Sequence, residues 1–558
     1  MSTATSIAWR TSKQAAASSS SSLSAIFAFR SNLNKLPFSS KFPHHLLCTS
    51  TRTMASTTKI NTIKDQKITA PYGSWSSPIT ADAVSGAEKR LGGLAVDGSG
   101  RLLWVESRPK EAGRTVLVRE GEKIGDEPID VTPPDFAVRT TAQEYGGQAF
   151  SVSGDIVVFS NYKDQRLYKQ LIGDSFPGPL TPDYGGPVVC FADGVFVSRF
   201  NSYISVMEGK FIANQFDDYH RESTLNPIAT IVFVKLNNKN IQDPKILVSG
   251  SDFYAFPRMD PKGERLAWVE WSHPNMHWDK AEIWVGYVSE DGWVENRNEV
   301  VPVYSLLAEF SKPCGFLVLH PMILFKVTRR IILLLAAIGR QDGRSYLGII
   351  NDAQKSLSML DVPFTDISTI VHLDDNNSIA VRFSIIWPSS AESTEYKSYF
   401  SVPEWIKFPS EFPGQYSYAY FYPPFNPIYE ASPQEKPPLV LKTHGGPTSE
   451  SRGTLNLNIQ YWTSRGWAFV DVNYGGSTGY GREYRERLLG QWGVVDVNDC
   501  CNCANFLVEN RKVDGKRLCI TGGSAGGYTT LASLAFRQTF KAGASLYGVS
   551  VNLLCFAI

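Results

Sequence analysis

The sequence predicts an all-β domain of repeated short strands followed by a C-terminal α/β domain. Between about residues 85 and 390, short apolar strands follow turns rich in Gly, Pro, Asn and Asp. From about residue 415 the pattern changes to strands that alternate with helices, which is typical of a mostly parallel sheet covered on both faces. A length of 558 residues also favours more than one domain.

The first domain is predicted from a turn-and-strand unit that recurs about every 40–60 residues. Examples are the strands Leu102–Val105, Ile156–Phe159, Arg265–Val269 and Ile283–Tyr287. Such recurrence favours a β-propeller, whose blades are four-stranded sheets, and we expect about seven blades. A series of β-sandwiches is the alternative. We place the propeller at residues 65–400 and the α/β domain at residues 401–558.

Residues 315–339 interrupt this pattern with two apolar runs, Phe316–Phe325 and Ile331–Ile338, separated by basic residues. Both runs are shorter than the roughly 18 residues that a membrane helix needs. We interpret them as a pair of buried strands. A local sequence error or altered splicing is the alternative, because the composition changes sharply here.

The first 64 residues carry eight Lys or Arg and no Asp or Glu, and they include the serine run Ser18–Ser22. This composition is typical of an organellar transit peptide, and the richness in Ser favours the chloroplast stroma. A disordered tail is the alternative, and Met54 could start a cytosolic form. Residues 65–558 have 47 basic against 54 acidic side chains, so we expect no nucleic-acid partner.

The second domain is predicted to contain five strands and two helices in alternation. The strands are Tyr416–Tyr422, Pro438–Thr443, Trp467–Val472, Arg517–Thr521 and Ala542–Tyr547, and the helices are Val495–Glu509 and Ala525–Phe536.

The candidate nucleophile is Ser524, in the segment Gly522–Gly526 that fits the pattern G-x-S-x-G. In α/β-hydrolases this pattern forms a sharp turn between a strand and a helix, with the serine hydroxyl exposed. Gly522 and Gly526 are expected because a Cβ at either position would meet backbone in so tight a turn. The alternative is a glycine-rich turn that holds an inert serine.

The segment His444–Pro447 follows a predicted strand and supplies a candidate oxyanion hole. In this fold a glycine-rich loop provides one backbone N–H, and the residue after the nucleophile provides the other. We therefore assign Gly446 and Ala525 as oxyanion donors. Since His444 precedes the serine and lies on this loop, we interpret it as a loop-shaping residue rather than as the general base.

Three further features are interpreted as structural or as unable to bind a ligand. The loop Asn473–Gly481 lacks the lysine of a phosphate-binding loop. Asp496 and Asp499 are placed to stabilise the start of a helix. The cysteines lack the usual zinc spacing, so we expect reduced thiols on and near a buried helix and no metal or cofactor. They are Cys500, Cys501, Cys503 and Cys519.

Four motifs in order identify a resemblance. They are HGGP at 444–447, NYGGSTGYG at 473–481, QWGVVDVND at 491–499 and GGSAGGY at 522–528. The segment from Pro438 to Tyr547 resembles the catalytic domain of the prolyl oligopeptidase family of serine peptidases. Within that family, the acylaminoacyl-peptidase and dipeptidyl-aminopeptidase-like branch is the most similar, in its plant form. The propeller segments Asp260–Trp268, Trp271–Met276 and Trp278–Asp279 resemble a blade of the same branch.

The resemblance implies a propeller that caps an α/β-hydrolase domain and limits entry to short peptides. It also implies that Ser524 is the nucleophile. Two features depart from the family: Gly475 stands where many relatives carry Arg, and residues 525–558 contain no Asp, Glu or His. We therefore expect a hydrolase domain that is incomplete at its C-terminus, with doubtful activity in this chain. The alternatives are a non-catalytic propeller that binds ligands, an inactive splice product and a carboxylesterase; the oligomeric state stays open.

Overall fold

The computed structural model describes several ranges of the chain in full and several further strands by their backbone. The fully described ranges are 67–85, 89–123, 126–143, 146–209, 227–236, 243–259, 262–275 and 395–549, with residue 241. The strands described by backbone lie at 25–31 and 282–388. The predicted transit peptide falls outside these ranges except for two short strands, β1 (Ala25–Phe27) and β2 (Arg30–Ser31).

The segment that precedes the propeller contains β3 (Ile68–Thr69) and the short helix α1 (Ala81–Ser85). We call residues 67–85 the N-terminal arm.

In the part of the chain that the structure describes, five successive four-stranded antiparallel sheets belong to the β-propeller. The first is β4 (Arg90–Val96), β5 (Leu102–Arg108), β6 (Arg114–Arg119) and β7 (Ile129–Asp130). The second is β8 (Phe150–Ser153), β9 (Ile156–Ser160), β10 (Leu167–Leu171) and β11 (Gly178–Pro179). The third is β12 (Val189–Val197), β13 (Ser202–Gly209), β14 (Ile228–Lys235) and β15 (Lys245–Val248).

The fourth sheet is β16 (Phe253–Met259), β17 (Arg265–Trp271), β18 (Glu282–Val288) and β19 (Val294–Val300). The fifth is β20 (Met322–Leu324), β21 (Leu334–Gln341), β22 (Arg344–Asn351) and β23 (Ser356–Leu360). Two short strands follow, β24 (Ile379–Ala380) and β25 (Ile385–Pro388), which pair with β2 and β1 respectively. All four predicted propeller strands are confirmed, whereas seven blades stay a prediction.

Two blades share a buried indole–carboxylate contact at the same position. In β5, Nε1 of Trp104 donates to Glu106 over 3.3 Å, and in β17, Nε1 of Trp268 donates to Glu270 over 2.8 Å. Each strand is the second of its blade, and both indoles are almost fully buried. A buried indole N–H needs a hydrogen-bond acceptor. The glutamate two residues later supplies it in both blades, which explains why both strands carry the sequence Trp-Val-Glu.

The unusual segment 315–339 contributes to the fifth blade. Strand β20 pairs antiparallel with β21, with Met322 opposite Ala337 and Leu324 opposite Leu335. The predicted pair of strands is therefore confirmed where the backbone is described. The side chains of this segment lie outside the described residues, as do Met276, Trp278 and Asp279 of the blade motif.

The α/β-hydrolase domain is built on a six-stranded sheet in the order β26-β27-β30-β29-β31-β32. Its strands are β26 (Glu404–Pro409), β27 (Tyr416–Tyr422), β29 (Leu439–Thr443), β30 (Ala468–Asn473), β31 (Leu518–Gly523) and β32 (Ala542–Leu546), with the separate β28 (Tyr429–Glu430). The helices are α2 (Leu457–Thr463), α3 (Arg482–Glu486), α4 (Val495–Glu509) and α5 (Ala525–Phe536). The pairs from β30 to β32 are parallel, as the alternation predicts. Among the described residues, no helix is both long and apolar enough to cross a membrane.

The core of this domain lies between the parallel strands and α4. Leu441 and Ile520 from the sheet pack in one buried cluster with Leu507 of α4. Cys500 and Cys503 are fully buried in the same cluster and are free thiols, so the predicted position of these cysteines on a buried helix is confirmed. Burial raises the pKa of both thiols well above its usual value, which keeps them neutral.

The N-terminal arm contacts the α/β-hydrolase domain, so the predicted N-terminal boundary of the propeller needs correction. Strand β3 pairs in parallel with β28, and the hydroxyl of Ser464 donates to that of Ser77 over 2.8 Å. The guanidinium of Arg465 also donates to the carbonyl oxygen of Ile79 over 2.9 Å. The propeller is therefore an insertion between the arm and the rest of the hydrolase domain.

Candidate active site

Ser524 lies at the turn where β31 ends and α5 begins. Its backbone has φ +57° and ψ −123°, a left-handed conformation that costs a non-glycine residue about 1–3 kcal/mol. Three backbone hydrogen bonds hold it there: its N–H donates to the carbonyl of Leu546 over 3.0 Å, and its carbonyl accepts from the N–H groups of Tyr528 over 3.1 Å and Val549 over 3.3 Å. The side chain stays half-exposed. This is the geometry expected of a nucleophile elbow.

The glycines on both sides of Ser524 allow the close contacts of this turn. A Cβ added to Gly522 would lie 2.4 Å from the carbonyl oxygen of Gly526. A Cβ added to Gly526 would lie 2.3 Å from the carbonyl oxygen of Thr443 and 2.6 Å from that of His444. These contacts are with backbone, which cannot move aside as a flexible side chain can, so both positions require glycine.

The two assigned oxyanion elements lie on opposite sides of the nucleophile turn. Ala525 begins α5, so its N–H belongs to the first helical turn, where the amides lack intrahelical acceptors. On the other side, a Cβ added to Gly445 would lie 3.3 Å from the Cβ of Ser524. The loop that carries Gly446 therefore packs directly against the nucleophile, and its role as an oxyanion donor stays a prediction.

His444 is buried and contacts the loops around the site. Its ring stacks on Tyr474 with centroids 4.4 Å apart, Nε2 lies 2.7 Å from the hydroxyl of Ser477, and Nδ1 lies 2.8 Å from the carbonyl oxygen of Gly445. Burial lowers the pKa of the imidazole to about 4. Both nitrogens thus face loop atoms, an arrangement suited to shaping the loop.

The depressed pKa of His444 predicts a loss of stability in acid. The folded protein binds a proton on His444 only near pH 4, whereas the unfolded chain does so near its ordinary pKa of 6.5. Since the unfolded state binds more protons between these values, stability is complete above pH 6.5 and falls as the pH approaches 4. This loss in the free energy of unfolding corresponds to about 3 kcal/mol. We expect it to be absent in His444→Asn, as measured by urea unfolding at a series of pH values.

The matched control is His273→Asn, because His273 is exposed in the propeller. Its profile should stay parallel to that of the unchanged protein. An equally steep loss of stability in the His444→Asn variant would contradict the assignment.

The glycine-rich loop after β30 is fixed by a buried carboxylate. Asp499 in α4 accepts hydrogen bonds from the hydroxyls of Ser410 and Ser417, each over 2.6 Å, and from the N–H of Gly475 over 2.8 Å. A Cβ added to Gly475 would lie 2.8 Å from Val495, so this position has no room for a side chain as large as arginine. The sequence placed Asp499 at a helix start, but its contacts are with β27, with the turn that follows β26 and with the loop after β30.

Asp496 has the position that the sequence predicted, in the first turn of α4. Its carboxylate accepts from the N–H of Gly493 over 2.7 Å and from the hydroxyl of Thr529 in α5 over 2.5 Å. It therefore joins the start of α4 to the nucleophile helix. Ser477 and Tyr474 are contacts of His444 that sequence reasoning did not single out, although both lie inside the NYGGSTGYG motif.

Comparison with known proteins identifies relatives over the whole fold and over the site. A model of the prolyl oligopeptidase family matches residues 454–557. A puromycin-hydrolyzing peptidase of Mycobacterium tuberculosis has a similar structure, with a TM-score of 0.74 and 32% sequence identity. The alignment covers 86% of this chain and 80% of that chain. This chain belongs to the prolyl oligopeptidase family.

Curated relatives match over the site-bearing segment only. An acylamino-acid-releasing enzyme of Arabidopsis thaliana is 35% identical over 112 residues, which is 19% of this chain and 15% of that protein. Dipeptidyl aminopeptidase BIII of Pseudoxanthomonas mexicana is 36% identical over 115 residues, 20% of this chain and 16% of that protein. The matched segments thus span about one sixth of these relatives. Family membership and the propeller-plus-hydrolase fold confirm the resemblance that the motifs indicated.

Proposed function

We propose that this protein is a serine peptidase that hydrolyses short peptides by acyl transfer through Ser524, as acylaminoacyl-peptidases do. The observation that carries the proposal is the half-exposed Ser524 in its left-handed turn, packed against the glycine loop. Similarity to enzymes named for releasing acylamino acids and for hydrolysing puromycin supports the same class of reaction. The family resemblance implies that the propeller caps the site, and a cap that limits the size of what can enter would favour short peptides.

In the proposed reaction the hydroxyl oxygen of Ser524 attacks the carbonyl carbon of the peptide bond. The N–H groups of Gly446 and Ala525 bind the oxyanion that develops, an interaction for which each donor contributes about 10²–10³-fold in rate. The C–N bond then breaks, the amine leaves with a proton, and water hydrolyses the acyl-enzyme to regenerate Ser524.

This reaction needs a general base to take the proton of Ser524. His444 does not suit that role, because its nitrogens face Ser477 and Gly445 and its pKa is lowered to about 4. Residues 525–558 contain no Asp, Glu or His. A polypeptide of these 558 residues alone is therefore proposed to acylate slowly. Because His444 does not suit the role of general base, a second candidate function is a propeller protein that binds peptides without cleaving them.

We expect a fluorophosphonate probe to label Ser524 slowly in the 558-residue chain, and added imidazole to accelerate the labelling in proportion to its concentration. A soluble base can replace a missing side-chain base, whereas a site with its own base gains little. Without imidazole the rate should be about 10³-fold or more below that of the Mycobacterium tuberculosis peptidase measured in parallel. Gel fluorescence gives the rate, and mass spectrometry identifies the labelled residue.

Two variants serve as controls for this experiment. Ser524→Ala should abolish labelling, and Ser533→Ala should leave it unchanged, because the hydroxyl of Ser533 is buried in α5 without a hydrogen-bond partner. Rapid labelling without imidazole would contradict the missing base, and labelling that persists in Ser524→Ala would contradict the nucleophile. Peptide binding without labelling in any condition would favour the second candidate. Faster hydrolysis of simple esters than of acyl-amino-acid amides would indicate a carboxylesterase.

A further inference from the structure

The end of β32 and the turn that follows it hold the two peptide groups on either side of Ser524. The N–H of Ser524 belongs to the preceding peptide and donates to the carbonyl oxygen of Leu546 over 3.0 Å. The carbonyl of Ser524 belongs to the following peptide and accepts from the N–H of Val549 over 3.3 Å. Because the orientation of these two peptide planes sets φ and ψ of Ser524, the turn at residues 546–549 maintains the left-handed conformation of the nucleophile.

The peptide that follows Ser524 also carries one of the assigned oxyanion donors. Its N–H is that of Ala525, and in a trans peptide the N–H and the C=O point in opposite directions. The carbonyl of Ser524 accepts from two donors, the N–H of Val549 and, over 3.1 Å, the N–H of Tyr528. These two hydrogen bonds therefore fix the direction in which the N–H of Ala525 points.

The N–H of Tyr528 belongs to a peptide whose carbonyl is held by a side chain. This carbonyl is that of Gly527, and the hydroxyl of Ser545 in β32 donates to it over 3.0 Å. Since a carbonyl oxygen can only accept, the hydroxyl proton lies in this hydrogen bond. The hydroxyl, this peptide and the Ser524 carbonyl thus form hydrogen bonds in series, in which each one polarises the next.

Two glycines allow Ser545 to come this close to the nucleophile helix. A Cβ added to Gly527 would lie 2.6 Å from Cα of Gly548 and 2.8 Å from Oγ of Ser545. A Cβ added to Gly548 would lie 2.4 Å from the same Oγ. The Ser545 hydroxyl is therefore packed between the first turn of α5 and the turn after β32, which holds it in place.

We propose that Ser545 is a positioning residue whose hydroxyl, through the Gly527 carbonyl, aligns the N–H of Ala525 as an oxyanion donor. This inference rests on the proposed function for its catalytic consequence, but the alignment itself can be measured without activity. Ser545 acts through two peptide groups rather than on the substrate.

The first measurement observes the Ser524–Ala525 peptide in the full 558-residue chain. Serine labelled with ¹³C at its carbonyl and alanine labelled with ¹⁵N together select the peptides of Ser–Ala pairs, which occur at 24–25, 390–391 and 524–525. The signal of the last pair is the one that disappears in Ser524→Ala. We expect Ser545→Ala to shift the carbonyl ¹³C and amide ¹H frequencies of this signal, because the series of hydrogen bonds loses its first member. The signals of the other two pairs should stay unchanged.

The second measurement is the rate of fluorophosphonate labelling in imidazole. Loss of a whole oxyanion donor lowers a rate about 10²–10³-fold, so a misaligned donor in Ser545→Ala should lower the maximal rate about tenfold. The probe concentration for half-maximal rate should stay unchanged, because the alignment acts on the transition state rather than on binding of the probe. Ser545→Thr, which retains a hydroxyl, should restore both the signal and the maximal rate.

Thr521→Ala is the matched control. The hydroxyl of Thr521 donates to the carbonyl oxygen of Ala544 over 2.9 Å, so this variant removes a similar hydrogen bond between β31 and β32. Both readouts should match the unchanged protein. A Ser545→Ala variant that keeps its signal or its maximal rate would overturn the proposal, as would equal effects of Thr521→Ala. If no variant is labelled at Ser524, the proposed function fails, and the signal of the 524–525 pair alone decides this inference.

Discussion

Replacing Gly526 with alanine is expected to destabilise the α/β-hydrolase domain by about 3 kcal/mol or more and to abolish labelling of Ser524. The added Cβ would lie 2.3 Å from the carbonyl oxygen of Thr443 and 2.6 Å from that of His444. These contacts can be relieved only if the nucleophile helix α5 moves away from β29, the strand that leads into the glycine loop. The turn and the oxyanion loop would then no longer meet. Urea unfolding and the labelling rate measure the two effects.

The control makes the same chemical change at Gly92 in β4. No atom lies within 4 Å of a Cβ added there, and its φ is not in the left-handed region. We expect a change of at most about 1 kcal/mol and unchanged labelling, as for most substitutions in open positions. A Gly526→Ala variant that is as stable as Gly92→Ala would contradict the close packing at the elbow.

Removal of the Asp499 carboxylate is expected to have an effect of similar size, again about 3 kcal/mol or more. Its three donors, from Ser410, Ser417 and Gly475, would lose their acceptor in Asp499→Ala, and two of them, Ser417 and Gly475, are buried. Each unpaired buried donor costs about 1–3 kcal/mol. Because one of them is the N–H of Gly475 in the glycine-rich loop, that loop should also open, which hydrogen exchange at Gly475 would detect.

The control variant Ser410→Ala distinguishes the effect of the whole Asp499 carboxylate from the effect of one of its hydrogen bonds. This variant removes one of the three donors and leaves the acceptor satisfied by two others, so we expect a loss of only about 1 kcal/mol. If Asp499→Ala costs no more than Ser410→Ala, the carboxylate does not organise the loop.

Local sequence patterns were sufficient to predict most of the elements of the α/β-hydrolase domain. Helices α4 and α5 have the predicted bounds, and each of the five predicted strands of the hydrolase domain lies within one or two residues of the observed one. The elbow could be predicted as well, because its glycines and serine form a short motif that is recognisable in the sequence. In each case the recognisable signal lies within a short stretch of sequence or follows a regular period, although Gly526 also contacts Thr443 and His444 from a strand and loop distant in sequence.

The contacts that the sequence did not reveal join residues far apart in the chain. Asp499 reaches Ser410 and Ser417 across more than 80 positions, and His444 meets Ser477 across 33. The periodicity of the sequence does not reveal such pairings, because they depend on which strands become neighbours in the sheet. The NYGGSTGYG motif pointed to the loop, but its role as a support for His444 became visible only when the two loops were seen together.

The docking of the N-terminal arm has a consequence for the order of folding. Asn426 donates to the carbonyl of Ser76 across 350 positions, and Ser464 donates to Ser77 across 387. During synthesis the arm leaves the ribosome first, yet its binding surface is made only after the whole propeller has emerged. Contacts between residues so far apart in sequence are slow to form, since the chain loses conformational entropy on closing the loop before the contacts stabilise it. The propeller can therefore fold first, and by bringing its two ends together it shortens the effective loop that the hydrolase domain must close.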